Sequence, residues 1–424
     1  MAFRFVHAAD IHLDSPLKSL AFRNPAIAEL VGNATRRAFS SIVDVCLEER
    51  VDALVLSGDL YDGDQTSMKT ARFLATEVSR LHAAGILVFI IRGNHDALSK
   101  ITKELVLPDT TKIFGGRADA IAVPANGSGR DVVFHGISFA QPHAPESLLP
   151  KYRPPVEGAI NIGLMHTSLD GSASHDPYAP CKATELEASG FRYWALGHVH
   201  GRSVGGIRCS IVMPGMPQGR DIGESGPKTV TIATIADDGS ISLEERPTSV
   251  AQFERVAVDV GGATEWREVV GRIAARLGAM RDTVASEHLV ARVTLTGATP
   301  LAWQIRQDSD LIRAEAEQIA TSLARTWIDK VEIAVTAPSA LGGEKASAAL
   351  TDLRRLMSGE VQASGAYILA ATTALEQMRE ALPPECRRVL GNDEAALHAV
   401  LDILAKDGAE DVLARLARAD GGEA

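Results

Sequence analysis

Hydrophobic positions along the first 85 residues switch between short unbroken runs and a spacing of three and four. The runs FRFVHAAD and ALVLSGD read as strands, each followed by a helical pattern, near residues 34–50 and 66–84. Phe39, Ile42, Val43, Cys46 and Leu47 share one face of the first helix, and Ala71, Leu74, Ala75, Val78 and Leu81 one face of the second. This is the punctuation of βαβ units. Beyond ILVFIIRG (86–93) the chain becomes strand-rich: DVVFHGISF (131–139), AINIGLMH (159–166), YWALGH (193–198), IRCSIVMPG (207–215) and KTVTIATI (228–235). After Pro247 the texture changes to RVAVDV, a helix near 264–285, HLVARVTLTG, a helix near 308–324, and DKVEIAVT, which predicts a small β-α-β-α-β domain. From about residue 340 the pattern is helical, with Leu397, Val400, Leu401 and Leu404 on one stripe. That stripe suits either a packed helical unit or a partner-docking surface. A chain of 424 residues suits two or three domains, and these shifts set the expected boundaries at 1–248, 249–338 and 339–424.

Composition narrows the class. Hydrophobic residues make up 46% and charged residues 23%, and no apolar run approaches the roughly 20 residues of a membrane span. The N-terminus lacks the regions of a signal peptide, so a cytoplasmic location away from membranes is expected. Cys46, Cys181, Cys209 and Cys386 form no C-x-x-C pair, which argues against a disulfide framework and a thiolate zinc site. A net charge of -11 repels a polyanion at long range, so any nucleic-acid binding must use local basic patches, metal ions or a partner.

Polar residues collect just past several apolar strands: Asp10-Ile11-His12, Gly58-Asp59-Leu60-Tyr61-Asp62, Gly93-Asn94-His95-Asp96, His166 and Gly197-His198-Val199-His200. Strand C-termini open into the ligand crevice of an α/β sheet, so this is where a catalytic site belongs. Mixed oxygen and imidazole donors suit Mn²⁺, Fe²⁺ or Zn²⁺, whereas a Mg²⁺ or Ca²⁺ site is nearly all oxygen. In an extended segment residues i and i+2 share a side, which would let Asp10 converge with His12, and His198 with His200. Gly58, Gly93 and Gly197 would let the chain turn so that the following side chain enters the site. Singly each signal is weak; five in series are not.

The ordered set D-x-H, GD-x-x-D, GNHD, H and GH-x-H closely resembles the calcineurin-like metallophosphoesterase signature. The resemblance implies an α/β fold, a four-layer αββα sandwich, followed here by a smaller α+β capping domain and a helical C-terminal region. It also implies two divalent ions, with Mn²⁺ expected first and Fe²⁺ or Zn²⁺ as alternatives. Asp10, His12 and His200 would hold one ion, Asp59 would bridge, and Asn94, His166 and His198 would hold the second. His95 would stay unligated as general acid, oriented by Asp62, for which an exposed turn aspartate is the competing reading. Such an ion pair lowers the pKa of a shared water and neutralises the attacked phosphate, so no covalent enzyme intermediate is needed.

HAADIHLDSPLKSL and MPGMPQGRDIGESGPKT go beyond that signature and resemble the SbcD and YhaO-type DNA repair exonucleases. That branch implies DNA as substrate and an SbcC-like coiled-coil ATPase as partner, with a homodimer as a further expectation. A phosphoesterase for nucleotides, cyclic nucleotides or phosphoproteins is the alternative, favoured by the acidic charge. Arg220, Arg92 and Arg202 could each reach a phosphate or serve in turns and salt bridges. His7, His82, His135, His143, His175, His288 and His398 match no ligand motif and read as packing or surface residues. Gly226-Pro227-Lys228-Thr229 lacks Walker A spacing, so the chain itself should not hydrolyse ATP.

Overall fold

The computed structural model describes residues 2–15, 32–61, 67–97, 106–124, 130–171, 178–338, 344–382, 387, 390 and 394–419. It divides into two compact units, Met1–Glu254 with Thr283–Val290, and Arg255–Asp282 with Ala291–Ala424. Asp62, His175 and Cys386 lie outside the described residues.

In chain order the first unit holds β1 (Phe3–Ala8), α1 (Ala34–Glu48), β2 (Ala53–Ser57), α2 (Met68–Ala83), β3 (Leu87–Ile91) and β4 (Thr111–Ile113). Next come β5 (Asp119–Val123), β6 (Val132–Gly136), β7 (Ile160–His166), α3 (Ala183–Ala188), β8 (Tyr193–Gly197), β9 (Ser203–Gly205) and β10 (Ser210–Met213). β11 (Thr229–Ile235) and β12 (Ile241–Pro247) complete it. Two six-stranded sheets result, ordered β12-β11-β1-β2-β3-β4 and β5-β6-β7-β8-β10-β9. Strands β1 to β4 pair in parallel, as do β6, β7, β8 and β10, while β11, β12, β5 and β9 add antiparallel edges.

Strand periodicity explains the layering. Phe5, Val55 and Phe89 face a core shared with Phe134, Ile162, Leu164 and Tyr193 of the other sheet. Their neighbours Val6, Leu54, Leu56, Val88 and Ile90 turn the opposite way, onto Phe39, Ile42 and Val43 of α1 and Leu74, Val78 and Leu81 of α2. Trp194, Leu196, Ile211 and Met213 form the outer face of the second sheet, under Leu186 of α3 and Phe191. This is the expected α/β sandwich of two sheets with helices outside. Gly163 is required there, because a Cβ would lie 2.2 Å from the Trp194 ring.

His7, fully buried on β1, joins the sheets: Nδ1 meets the Tyr193 hydroxyl at 3.0 Å and Nε2 the Leu196 carbonyl at 3.0 Å. Ser57 Oγ lies 3.2 Å from the same Nε2 and donates to the Ala195 carbonyl at 3.0 Å. It is a packing residue placed directly behind the strand ends that carry the ligands.

The three-stranded sheet β13 (Ala251–Asp259), β14 (His288–Ala298) and β15 (Thr326–Thr336) begins at the end of the first unit and lies mainly in the second. Two longer helices accompany it in the second unit, α4 (Trp266–Thr283), burying Val269, Ile273 and Leu277, and α6 (Ser309–Ser322), burying Ile312, Ala316 and Ala320; the short α5 (Ala302–Gln307) lies between them in the chain. The C-terminal helices are α7 (Glu344–Arg355), α8 (Gly365–Ala381) and α9 (Glu394–Ala419). Leu375, Leu397 and Leu401 cluster there with Val400 packed against them, whereas Leu404 is 50% exposed and leaves the expected stripe. No described helix is long and apolar enough to cross a membrane.

Candidate active site

The candidate residues sit at or just past the C-terminal ends of β1, β2, β3, β7 and β8, drawn from both sheets, with His166 the last residue of β7 and the others on the turns beyond. On several of those turns the backbone is not extended. Asp10 (φ 53°), His12 (φ 46°), Asp59 (φ 52°) and His198 (φ 104°) all adopt positive φ, uncommon for residues other than glycine and costing of order 1–3 kcal/mol each. The surrounding bonds hold these conformations: Asp10 N–H donates to the Gly58 carbonyl, and His12 N–H to that of Asp59, both at 3.0 Å. Of the three motif glycines, Gly58 has the left-handed turn (φ 94°). Gly93 and Gly197 are needed for space: a Cβ would lie 2.2 Å from Asp59 Oδ1 at the first and 2.1 Å from the Ser57 carbonyl at the second.

Two clusters form. Asp10, His12 and His200 bring ligand atoms within 4.8 Å of one another, and Asp59, His166 and His198 do the same. His198 and His200 thus go to different clusters, because the chain turns between them. In the first cluster the Nε2 atoms of His12 and His200 face each other at 3.3 Å. Within the second, His166 Nε2 lies 3.0 Å from Asn94 Oδ1 and 3.3 Å from Asp59 Oδ2. The Asp10 carboxylate also accepts from the His198 N–H at 3.0 and 3.1 Å, tying the clusters together. Asp10, His12, Asp59 and His166 are almost wholly buried.

Burial pushes the Asp10 carboxyl up, against the attraction of His166, His200 and His12. For Asp59 burial acts the same way, but His166, His12 and His95 outweigh it and hold the carboxyl below the usual range. His166 answers them: burial opposes its charge, yet Asp59 and Asp10 raise it to about 9. Two buried carboxylates drawing a proton onto an imidazole describe a site short of positive charge, which a divalent cation would supply while displacing that proton. The donors fit divalent metal in type and in placement.

His95 is exposed, its N–H donating to Asp59 Oδ1 at 3.0 Å and its ring edge-on to His12 with centroids 5.2 Å apart.

Other residues that shape the site carry no ligand motif of their own. Asp96, fully buried, accepts from the N–H groups of Leu60 (3.0 Å), Tyr61 (2.9 Å) and Gly93 (3.3 Å), so one carboxylate fixes both the Asp59 and Asn94 loops. Burial, then Asp59, raise it to about 6. The Ser57 carbonyl meets His166 Nδ1 at 2.9 Å. Glu224 Oε1 meets His200 Nδ1 at 2.9 Å; burial opposes its charge, but bonds from His200 and Arg220 hold the carboxyl low. Asp96 stood inside a recognised motif and Glu224 inside the SbcD-like segment, neither singled out by itself, whereas Ser57 gave no signal. Arg202 is engaged by Glu245 (2.8 Å) and Thr231 (2.6 Å), and Arg220 by Glu224 (2.7 Å), so both act as salt-bridging residues here.

The calcineurin-like phosphoesterase family model matches residues 3–202, and the model for the middle domain of metallophosphoesterase YhaO matches 253–336. The metallophosphoesterase YhaO of Bacillus subtilis is 32% identical over 302 residues, 70% of this chain and 72% of that one. The DNA double-strand break repair protein Mre11 of Sulfurisphaera tokodaii is 27% identical over 218 residues, 47% of this chain and 50% of its own length. A dimetal phosphatase from Danio rerio aligns at 14% identity with a TM-score of 0.35, covering 58% of this chain and 96% of its own, a likeness too weak to bear on function. With both family models and the YhaO and Mre11 relatives in agreement, the chain belongs to the calcineurin-like metallophosphoesterases, in the branch that includes YhaO and the Mre11 proteins.

Proposed function

We propose that the chain is a metal-dependent DNA nuclease that hydrolyses phosphodiester bonds. The observation that carries the reading is the convergence of Asp10, His12 and His200 on one side, and Asp59, Asn94, His166 and His198 on the other, beneath one exposed histidine. Two divalent ions, Mn²⁺ foremost, would be held by these two sets, and when bound they supply Lewis acidity toward the phosphate and an activated water. Asp59 holds the His95 backbone, and the exposed His95 ring stands beside His12, where an imidazolium can donate to the departing oxygen. Asp10 and Asp59 keep the buried histidines in orientation and balance the charge of the ions. Asp62 as the residue that orients His95 is part of the same reading.

DNA as the substrate rests on the Mre11 relatives, which are DNA double-strand break repair proteins by name, and on the SbcD-like flanking segments. Because the net charge is -11, phosphate attraction falls to the ions at the site and to a DNA-bound partner, for which an SbcC-like ATPase is the candidate. A homodimer and a cytoplasmic location belong to the same proposal.

The test is cleavage of duplex and single-stranded DNA by purified protein with Mn²⁺, beside a small phosphodiester reporter. DNA is degraded; Asp59→Asn and His95→Ala abolish it, a loss of at least about 100-fold for the general acid. His95→Ala still binds metal. Turnover of the reporter with intact DNA would support the nucleotide phosphoesterase instead, and unimpaired cleavage by both variants would refute the site.

A further inference from the structure

The segment MPGMPQGRDIGE, distinctive in the sequence and unused by the proposed chemistry, wraps around the loop that carries His200. Met216 N–H donates to the His200 carbonyl at 3.2 Å. Gly215 lies so close that a Cβ would sit 2.7 Å from that same carbonyl and 3.0 Å from the Arg202 nitrogen. Gln218 anchors the segment from the far side, accepting from Val250 N–H at 2.8 Å and donating to the Ala251 carbonyl at 2.7 Å. The short turn Ile222–Glu224, capped by Asp221 accepting from Gly223 N–H at 2.7 Å, then presents Glu224 to the imidazole.

At the imidazole, Glu224 Oε1 lies 2.9 Å from His200 Nδ1 and 2.7 Å from Arg220 Nη2. Arg220 Nη2 also approaches Nδ1, at 3.4 Å, but a guanidinium only donates. The shorter carboxylate contact therefore decides the tautomer: Nδ1 carries the hydrogen and gives it to Glu224, leaving the Nε2 lone pair turned toward His12. Arg220 braces the carboxylate, its backbone N–H donating to Oε2 at 2.7 Å. In the other cluster His166 Nδ1 is met by the neutral Ser57 carbonyl, at 2.9 Å. A carboxylate behind an imidazole makes it a stronger donor than a carbonyl does.

We propose that Glu224, braced by Arg220, is a positioning residue that sets the tautomer and donor strength of His200. The Asp10–His12–His200 cluster thereby depends on a charged support behind His200, where His166 of the other cluster has a neutral carbonyl, so the two ions respond differently to the loss of Glu224.

The proposal rests on the two-ion reading, and calorimetric titration of metal-stripped, full-length protein with Mn²⁺ separates the two. The wild type takes up two ions; fewer than two overturns that reading and this inference together. Glu224→Ala is expected to weaken one ion by roughly 10–100-fold and leave the other unchanged, with Glu224→Gln, which keeps an acceptor but loses the charge, falling between. In a His200→Ala background Glu224→Ala changes nothing further, because it acts through that imidazole. Wild-type affinities in both Glu224 variants, equal weakening of both ions, or an added loss in the His200→Ala background overturns the inference while leaving the nuclease reading intact. If Glu224→Ala loses its circular-dichroism spectrum, the isosteric Glu224→Gln decides alone. Conversely, two ions bound without DNA cleavage sinks the nuclease and leaves the role of Glu224 standing.

Discussion

At the scale of single residues, buried polar groups do two kinds of work here. Asp10, Asp59 and His166 form a charge-deficient cluster that suits a cation, whereas His7 is held neutral between the sheets. Burial lowers the His7 pKa to about 3, its bond to the Leu196 carbonyl opposing and Arg202 assisting. An unfolded chain protonates the same side chain near pH 6.5, so between pH 6.5 and 3 the unfolded state binds the extra proton. Stability from this histidine is therefore complete above pH 6.5 and is lost as pH falls toward 3. Urea unfolding across pH 4–7 should show a pH dependence that is shallower in His7→Gln by up to about 1.4 kcal/mol per pH unit. Equal slopes would mean that His7 is not buried neutral. In sequence only the D-x-H motif sets His12 apart from His7, five residues earlier; in the structure one side chain finds Tyr193 and Leu196 while the other finds His200.

Among elements, the central strands were legible as unbroken apolar runs, being buried on both faces, and the helices α1 and α2 because each hides one face at its own period. β4, β5, β9 and β12 were not, since edge strands keep few apolar positions: β9 is exposed throughout and β12 is ISLEERP. The turns after the strands were recognised by residue type, but their conformation was misjudged. An extended D-x-H was expected; positive φ at Asp10 and His12 is found, held by bonds to the neighbouring β2 loop that no local pattern contains. Gly93 shows the same dependence on neighbours. Gly93→Ala is expected to keep the strand and helix content, read by circular dichroism, while weakening Mn²⁺ binding at least about tenfold, because its Cβ would displace Asp59 Oδ1 from 2.2 Å away. Undiminished affinity would show that the loop relaxes freely.

On the scale of the whole molecule, metal and fold are linked. A cation that binds only the folded site stabilises it by about 2.7 kcal/mol at 100 times its dissociation constant. Saturating Mn²⁺ should then raise the melting temperature of metal-stripped protein by roughly 5–10 °C, and EDTA should reverse it. Asp59→Asn should lose most of that rise, and an equal rise in that variant would place the ions elsewhere. The sequence by itself determined the α/β class and pointed to the candidate donors, because apolar strand runs and glycine-punctuated strand ends are local signals. It also carried the family likeness, since the donor series keeps its order along the chain. That likeness also anticipated that His198 and His200 serve different ions, which the spacing alone did not; only the tertiary structure decided which further groups support the donors: Asp96 beneath two loops, Ser57 behind His166, Glu224 behind His200. The physical reason is distance along the chain. His12 and His200 are brought to 3.3 Å by the packing of two sheets, and a contact across 188 residues leaves no periodic trace for a sequence to show.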